Sequence, residues 1–422
     1  MSRDKGPAAR SSGTATAAFL LLGFVTITSV RAATAPADET RALWVLRSSL
    51  ASAASIDSLV ATARTYGFNT LLVQVRGRGD AYYASGLEPR AEELQGQPAS
   101  FDPLGHLLTV AHGAGLKVHA WVNINLVASA SNLPAAPEHV VYTHPDWLMV
   151  PRALAREMAA VEPASPAYLG RLARWVRSEN GDVEGLYLSP LQPDAAAHLT
   201  AVVSDLAARY AVDGVHLDYI RFPDERFDFS RYAVAAFRAD VAPALSADTR
   251  RELDAQAESD PLTYPNALPD EWNRFRRSQL SALVMRLRTA VRSRRPEAIV
   301  SAAVTPDIED AYARRLQDWR TWLESGLIDA VCPMAYTPDA PLFARQIASA
   351  RGLAGAHAVW AGIGAYRLSP AQTVQHIQIA RQQGADGFVL FSYDSMTGPE
   401  RAQDPYLAQV SRALFPPASG SK

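Results

Sequence analysis

Eight short apolar runs, each set off from the next by polar or amphipathic sequence, constrain this chain more than any other feature. They cover residues 42–46, 69–75, 117–122, 212–218, 299–304, 328–332, 358–363 and 387–392. Stretches with helical spacing lie between them at 56–66, 104–114, 195–210, 272–293, 314–325, 342–351 and 370–383, and another follows at 406–414. Runs too short for helices that alternate with longer amphipathic segments predict parallel strands joined by crossover helices. Eight such units close into an α/β fold of the (β/α)8 barrel type, the TIM barrel. A doubly wound sheet would place a glycine-rich phosphate loop after its first strand. The chain offers only Gly77-Arg78-Gly79 and Gly362-Ile363-Gly364, which lack the third glycine and the strand–helix setting.

The N-terminus reads as an export signal. Arg3, Lys5 and Arg10 precede the uncharged, mostly apolar run 15–27, and Val30-Arg31-Ala32 places small residues at a signal-peptidase site. That run is shorter than the roughly 20 residues of a membrane span. Residues 1–32 are therefore expected to be a signal peptide, and the protein to reside in the periplasm or cell envelope. An uncleaved segment tethering it to the membrane is the alternative. Residues 33–38 read as a linker, 39–416 as one catalytic barrel domain, and 417–422 as a disordered tail. Cys332 is the only cysteine, so the fold must be held by its core, for which 48% hydrophobic residues suffice. A net charge of −2 with no clustered Lys/Arg face argues against a nucleic-acid partner.

Three spacers are long: 76–101, 123–193, and the insertion after the fourth run that includes 254–269. All leave the C-terminal ends of strands, the face on which barrel enzymes build their sites. Polar residues gather at the same ends. The richest segment is Tyr210 to Pro223, YAVDGVHLDYIRFP, in which His216 and Asp218 share one strand face. A carboxylate at the end of a buried strand is costly to desolvate without compensation, so Asp218 is the expected catalytic carboxylate. Asp80, Asp307 and Asp394, in that order, are the candidates for a second acid, with Asp339 also available. Expected substrate contacts are Arg76, Tyr82, His119, Trp121, Asn123, His216, Tyr219, Arg221, Tyr336, Tyr366 and Tyr393. The plain alternatives are core roles for His119 and His216, partner roles for Arg76 and Arg221, and a loop-capping role for Asp218.

Carboxyl groups flanked by aromatic faces, guanidinium and amide groups suit the breaking of a glycosidic bond. Metal and cofactor chemistry are not expected: there is no HExxH, no Cys/His cluster and no ligand spacing among the histidines. A serine hydrolase is disfavoured by the lack of a G-x-S-x-G elbow. Arg221 in contact with Asp218 would favour its ionised form, which predicts a nucleophile or base there and a proton donor from another strand.

Seven motifs run in order along the chain: RALWV at 41–45, NTLLVQVRGRGDAYYAS at 69–85, AHGAGLKVHAWVN at 111–123, YAVDGVHLDYIRFP, QDWRTWLESGLIDAVCPMAY at 317–336, GIGAY at 362–366 and GFVLFSYDS at 387–395. In these the chain resembles the glycosyl-hydrolase-like family ten, exported bacterial (β/α)8 proteins related to cell-envelope glycan hydrolases. The resemblance implies that Asp218 occupies the catalytic carboxylate position. It also implies a departure, since many relatives carry two adjacent acids, a DDY pattern, where this chain reads Leu217-Asp218-Tyr219. The expected activity is hydrolysis of a β-linked amino-sugar glycan polymer, peptidoglycan strands first. An exopolysaccharide of the poly-N-acetylglucosamine type, or a non-catalytic glycan-binding barrel, are the alternatives.

Overall fold

The computed structural model describes residues 38–129, 131–179, 183–398 and 405–415; the leader at 1–32, the linker to residue 37 and the tail at 417–422 lie outside them. Ten strands occur in chain order: β1 Thr40–Val45, β2 Thr70–Arg76, β3 Lys117–Asn123, β4 Leu126–Ser129, β5 Gly185–Tyr187, β6 Gly214–Asp218, β7 Ile299–Val304, β8 Ala330–Pro333, β9 Ala358–Ile363 and β10 Gly387–Phe391. Eight of them close a parallel barrel in the order β1-β2-β3-β6-β7-β8-β9-β10, while β4 and β5 pair antiparallel outside it. Every one of the eight expected runs is a barrel strand, with its ends within two residues of the expected ones.

Alternation along the strands divides the core in two. Trp44, Leu72, Trp121, Cys332, Trp360 and Val389 point inward and fill the barrel. Their neighbours Leu43, Leu71, Val73, Val215 and Leu217 point outward and pack under the helices. Interior layers of this kind make the barrel a packed solid rather than a pore. The helices start where short polar side chains take up free backbone N–H groups: Ser52 accepts from Ser55, Asp102 from Gly105 and Ser369 from Gln372.

Of the expected helix at 314–325 only Trp319–Glu324 is helical, and a separate short helix, Ile308–Ala313, precedes it. Between them Leu316 takes a left-handed φ of 53° and Gln317 is fully buried. The Gln317 amide accepts from Thr305 N–H and donates to the carbonyls of Ile220 and Ala303. Satisfying those buried strand-end groups overrides the helical spacing of the segment. The described parts of the long spacers carry regular elements. The one after β3 forms the β4–β5 hairpin around the helix Pro166–Ser178, and the one after β6 carries Arg231–Val241 and Ala247–Ala257 before the long helix Pro269–Arg294.

Candidate active site

Register fixes which side chains meet at the C-terminal mouth. Asn123 pairs with Asp218, Trp121 with His216 and His119 with Gly214, so the inward residues of β3 and β6 stack in three layers. Asp218 and Asn123 form the outermost. Above them opens a cavity of about 270 Å3 whose floor and walls include Gln74, Trp121, Asn123, Asp218, Tyr219, Arg221, Tyr336 and Phe391. Among the described residues Asp218 is the only carboxylate lining it; Arg47, Arg78 and Arg221 line it as well.

Asp218 is held on all sides. Its Oδ2 accepts from Trp121 Nε1–H at 3.1 Å, an indole that also donates to Asn123 Oδ1 at 2.8 Å. Its Oδ1 accepts from the Tyr219 backbone N–H at 2.7 Å and lies 3.7 Å from Arg221. Tyr219 reaches this position through a left-handed φ of 49°, a conformation costing a non-glycine residue of order 1 kcal/mol or more. The Tyr219 ring then lies 4.3 Å under the Arg221 guanidinium. Burial pushes the Asp218 carboxyl above the usual carboxylate range, and Arg221, the Tyr219 N–H and Trp121 only partly counter it. This reverses the expectation drawn from Arg221 alone: desolvation outweighs the ion pair, and the carboxyl is poised to hold a proton.

Arg221 is shared. It pairs with Glu184 at 3.0 Å, a residue of the β4–β5 hairpin whose second oxygen accepts from Tyr187 O–H at 2.7 Å. Burial raises the Glu184 carboxyl, but Arg221 and Tyr187 outweigh it and hold it below the usual range. One guanidinium thus touches both acids, Glu184 at 3.0 Å and Asp218 at 3.7 Å, but Glu184 does not line the cavity. Glu184 carries no motif signal; the hairpin that delivers it was not legible as a pair of strands.

The other expected acids are elsewhere. Asp80 is bound to Arg47 at 3.0 Å and faces an adjoining cleft rather than the cavity. Asp307 and Asp339 are exposed helix caps, accepting from Asp310 and Leu342 N–H. Asp394 accepts from Leu46 N–H, Ser48 and Ser49 hydroxyls, clamping the exit of β1. Its oxygens are engaged in structure, so it is not placed to give a proton to a substrate.

The expected contacts also divide. Trp121, Asn123, Tyr219, Arg221 and Tyr336 line the cavity, and Tyr366 stands at its edge, 6.2 Å edge-on to Tyr336. His216 and His119 do not reach it. Trp44 Nε1–H donates to His216 Nε2 at 3.1 Å, which leaves the ring proton on Nδ1 to donate to Ser301 at 2.9 Å. Burial lowers His216 to about 3 and His119 to about 4, so both are neutral interior residues. His119 packs 5.5 Å from Trp360, and a β-carbon at Gly214 would come within 2.5 Å of its ring. Arg76 is fully buried against Glu88, Tyr82 is buried beneath Arg47, and Tyr393 is buried in the helix Tyr393–Thr397. These serve the walls rather than the cavity. Phe391 and Arg78 also line the cavity; parity on β10 and the glycine turn after β2 were the signals that could have found them.

Residues 37–374 match the family described as Glycosyl hydrolase-like 10. The chain belongs to this family. Among its curated relatives, glycosyl hydrolase DigH of Escherichia coli is 27% identical over 337 residues, 74% of this chain and 62% of DigH. Glycosyl hydrolase YngK of Bacillus subtilis is 23% identical over 299 residues, 64% of this chain and 46% of YngK. This family member thus spans under two thirds of the length of either relative. Among solved structures, the glycoside hydrolase domain of PgaB (BpsB) from Bordetella bronchiseptica superposes with a TM-score of 0.61 at 16% identity, covering 90% of this chain and all of that one. An α-L-fucosidase from Paenibacillus thiaminolyticus gives 0.58 at 15% identity over 89% of this chain and 49% of its own. Both establish the barrel fold of the Glycosyl hydrolase-like 10 chain.

The surroundings of Asp218 set the direction in which its titration responds to substitution. Trp121→Phe removes a hydrogen bond that favours the ionised form, so the Asp218 pKa should rise. Glu184→Gln removes a like charge and leaves Arg221 to act on Asp218 alone, so it should fall. The alkaline limb of the kcat/KM profile should therefore move up in the first variant and down in the second. Shifts of the same sign in both would contradict the arrangement.

Proposed function

We propose that this protein is a glycoside hydrolase that works outside the cytoplasmic membrane on a β-linked amino-sugar glycan, peptidoglycan strands first. The observation that carries this is Asp218: a buried carboxyl with a raised pKa, the only acid among the described residues that lines the central cavity at the C-terminal mouth of the barrel. In this account Asp218 gives its proton to the glycosidic oxygen as the bond to the anomeric carbon breaks. Water attacks the anomeric carbon as that bond breaks and releases its proton to solvent, while Glu184, outside the cavity lining, stays ionised and holds Arg221 beside Asp218. The sugar faces find Trp121, Tyr336 and Phe391, aromatic surfaces suited to their C–H edges.

Export rests on the leader pattern at 1–32, and the glycan on the aromatic cavity together with the family. The fold shared with the PgaB glycoside hydrolase domain supports polysaccharide hydrolysis, with an exopolysaccharide of the poly-N-acetylglucosamine type as the alternative substrate. A lone carboxylate in the cavity favours a second reading, a glycan-binding barrel without turnover. Product analysis of the purified protein on peptidoglycan, peptide-free glycan strands and poly-N-acetylglucosamine separates them. New reducing ends from the first two are expected; cleavage of the third alone would move the substrate to exopolysaccharide, and binding of all three with no cleavage would establish the binding barrel.

A further inference from the structure

Beside the cavity above Asp218 lies a cleft of about 500 Å3 between the loop after β2 and the segment after β4; Arg47 and Arg78 line both, and Asp80, Arg90, Glu92, Glu93 and Glu138 line the cleft as well. The two shared arginines differ in what they already hold. Arg47 is bound by Asp80 at 3.0 Å and Glu93 at 3.4 Å, so its charge is met within the protein. Arg78 uses only its backbone, its N–H donating to Asp80 and its carbonyl accepting from His139. Its guanidinium makes no hydrogen bond or ion pair with any described residue. A second guanidinium points the same way: Arg221, almost fully buried in the cavity wall, has Nε and NH1 without a hydrogen-bond acceptor.

A free guanidinium at the junction of two adjoining cavities is a planar fork of donors without an acceptor. The Arg78 side chain is exposed beside Arg47; partial burial first and the Arg47 charge second lower its pKa, and Asp80 and Glu93 oppose them. A carboxylate placed against it would take a bidentate contact. A glycan held in the cavity under the proposed function would pass this point. We propose that Arg78 is a specificity-determining residue that binds a carboxylate carried by the sugar spanning the junction of the two cavities, so that the protein selects acidic over neutral glycans. This rests on the reading that the cavity takes a glycan, but not on turnover. The carboxylate has two chemical sources, a lactyl ether on an amino sugar or the C6 acid of a uronate.

The test uses monosaccharides, which contain no glycosidic bond to cut, so it is independent of whether the protein is a hydrolase. Binding of N-acetylmuramic acid, glucuronic acid and N-acetylglucosamine is measured by ligand-observed NMR titration on the wild type, Arg78→Gln and Arg78→Lys. A lactyl reader binds N-acetylmuramic acid most tightly, a uronate reader glucuronic acid. In either case the preference over N-acetylglucosamine should be roughly tenfold or more, the range of a hydrogen bond to a charged group. That ratio should collapse towards one in Arg78→Gln and recover in part in Arg78→Lys. Arg78 is exposed, so the variants should fold, which their melting temperatures check. Equal binding of acidic and neutral sugars by the wild type, or a preference unchanged in Arg78→Gln, overturns the proposal. Failure of all three to bind, with glycan strands also neither bound nor cut, overturns the glycan reading beneath it.

Discussion

Asp218→Asn is expected to lower kcat by about 10²–10⁴-fold, the usual contribution of a positioned acid or base, while the melting temperature stays within about 2 °C of the wild type. The exchange is close to isosteric. Burial already works against the charged form of Asp218, so removing the charge relieves a desolvation cost along with the contact to Arg221. The amide oxygen can still accept from the Tyr219 N–H or from Trp121. What the variant cannot do is deliver a carboxyl proton to a leaving oxygen. If Asp218 were a structural cap, the pattern would invert: the melting temperature would drop and turnover per folded molecule would stay near normal. Measuring both on one sample decides between them.

The largest effect on stability is expected at Glu88. Arg76 and Glu88 are paired at 2.6 Å with side-chain exposures of 0% and 2%, and Arg76 also donates to the Asn123 and Ile124 carbonyls behind the cavity. Glu88→Gln would leave a buried guanidinium uncompensated, a loss of about 3–5 kcal/mol in denaturant unfolding. A loss under about 1 kcal/mol would contradict the pairing. Burial raises the Glu88 carboxyl, but Arg76 and His198 outweigh it and hold it at about 2. A depressed carboxyl contributes stability that is present above its ordinary value of 4.5 and is lost as pH falls through about 2. Acid unfolding of the wild type should therefore steepen across that window, and Glu88→Gln should lack this component.

The barrel was legible because its strands are fully buried on both faces and read as near-continuous apolar runs. Asp218, Trp121 and Asn123 were legible for a related reason, since parity on a strand decides which residues face inward. The same parity misled at His119 and His216. It places them inward, but it does not say how far along the strand the cavity begins, and both lie in deeper layers. The acid that shares Arg221 with Asp218 was not legible at all. Asp307, Asp339 and Asp394 follow strand ends in sequence, yet each turns to a helix N-terminus or a loop whose N–H and O–H groups it satisfies. Glu184 arrives by the reverse route, from an insertion some sixty residues beyond β3, where only tertiary pairing of β4 with β5 brings it to Arg221. The helix at 314–325 failed because the buried needs of Gln317 are set by groups from other strands.

The central claim, hydrolysis at the Asp218 cavity, is tested most directly by isotope incorporation. Peptide-free glycan strands are incubated with the wild type in water enriched in oxygen-18, and the fragments are weighed by mass spectrometry. Hydrolysis predicts one heavy oxygen in each new reducing end, and no such ends with Asp218→Asn. Fragments with anhydro ends and no incorporated oxygen, or labelled ends formed equally by Asp218→Asn, would contradict it.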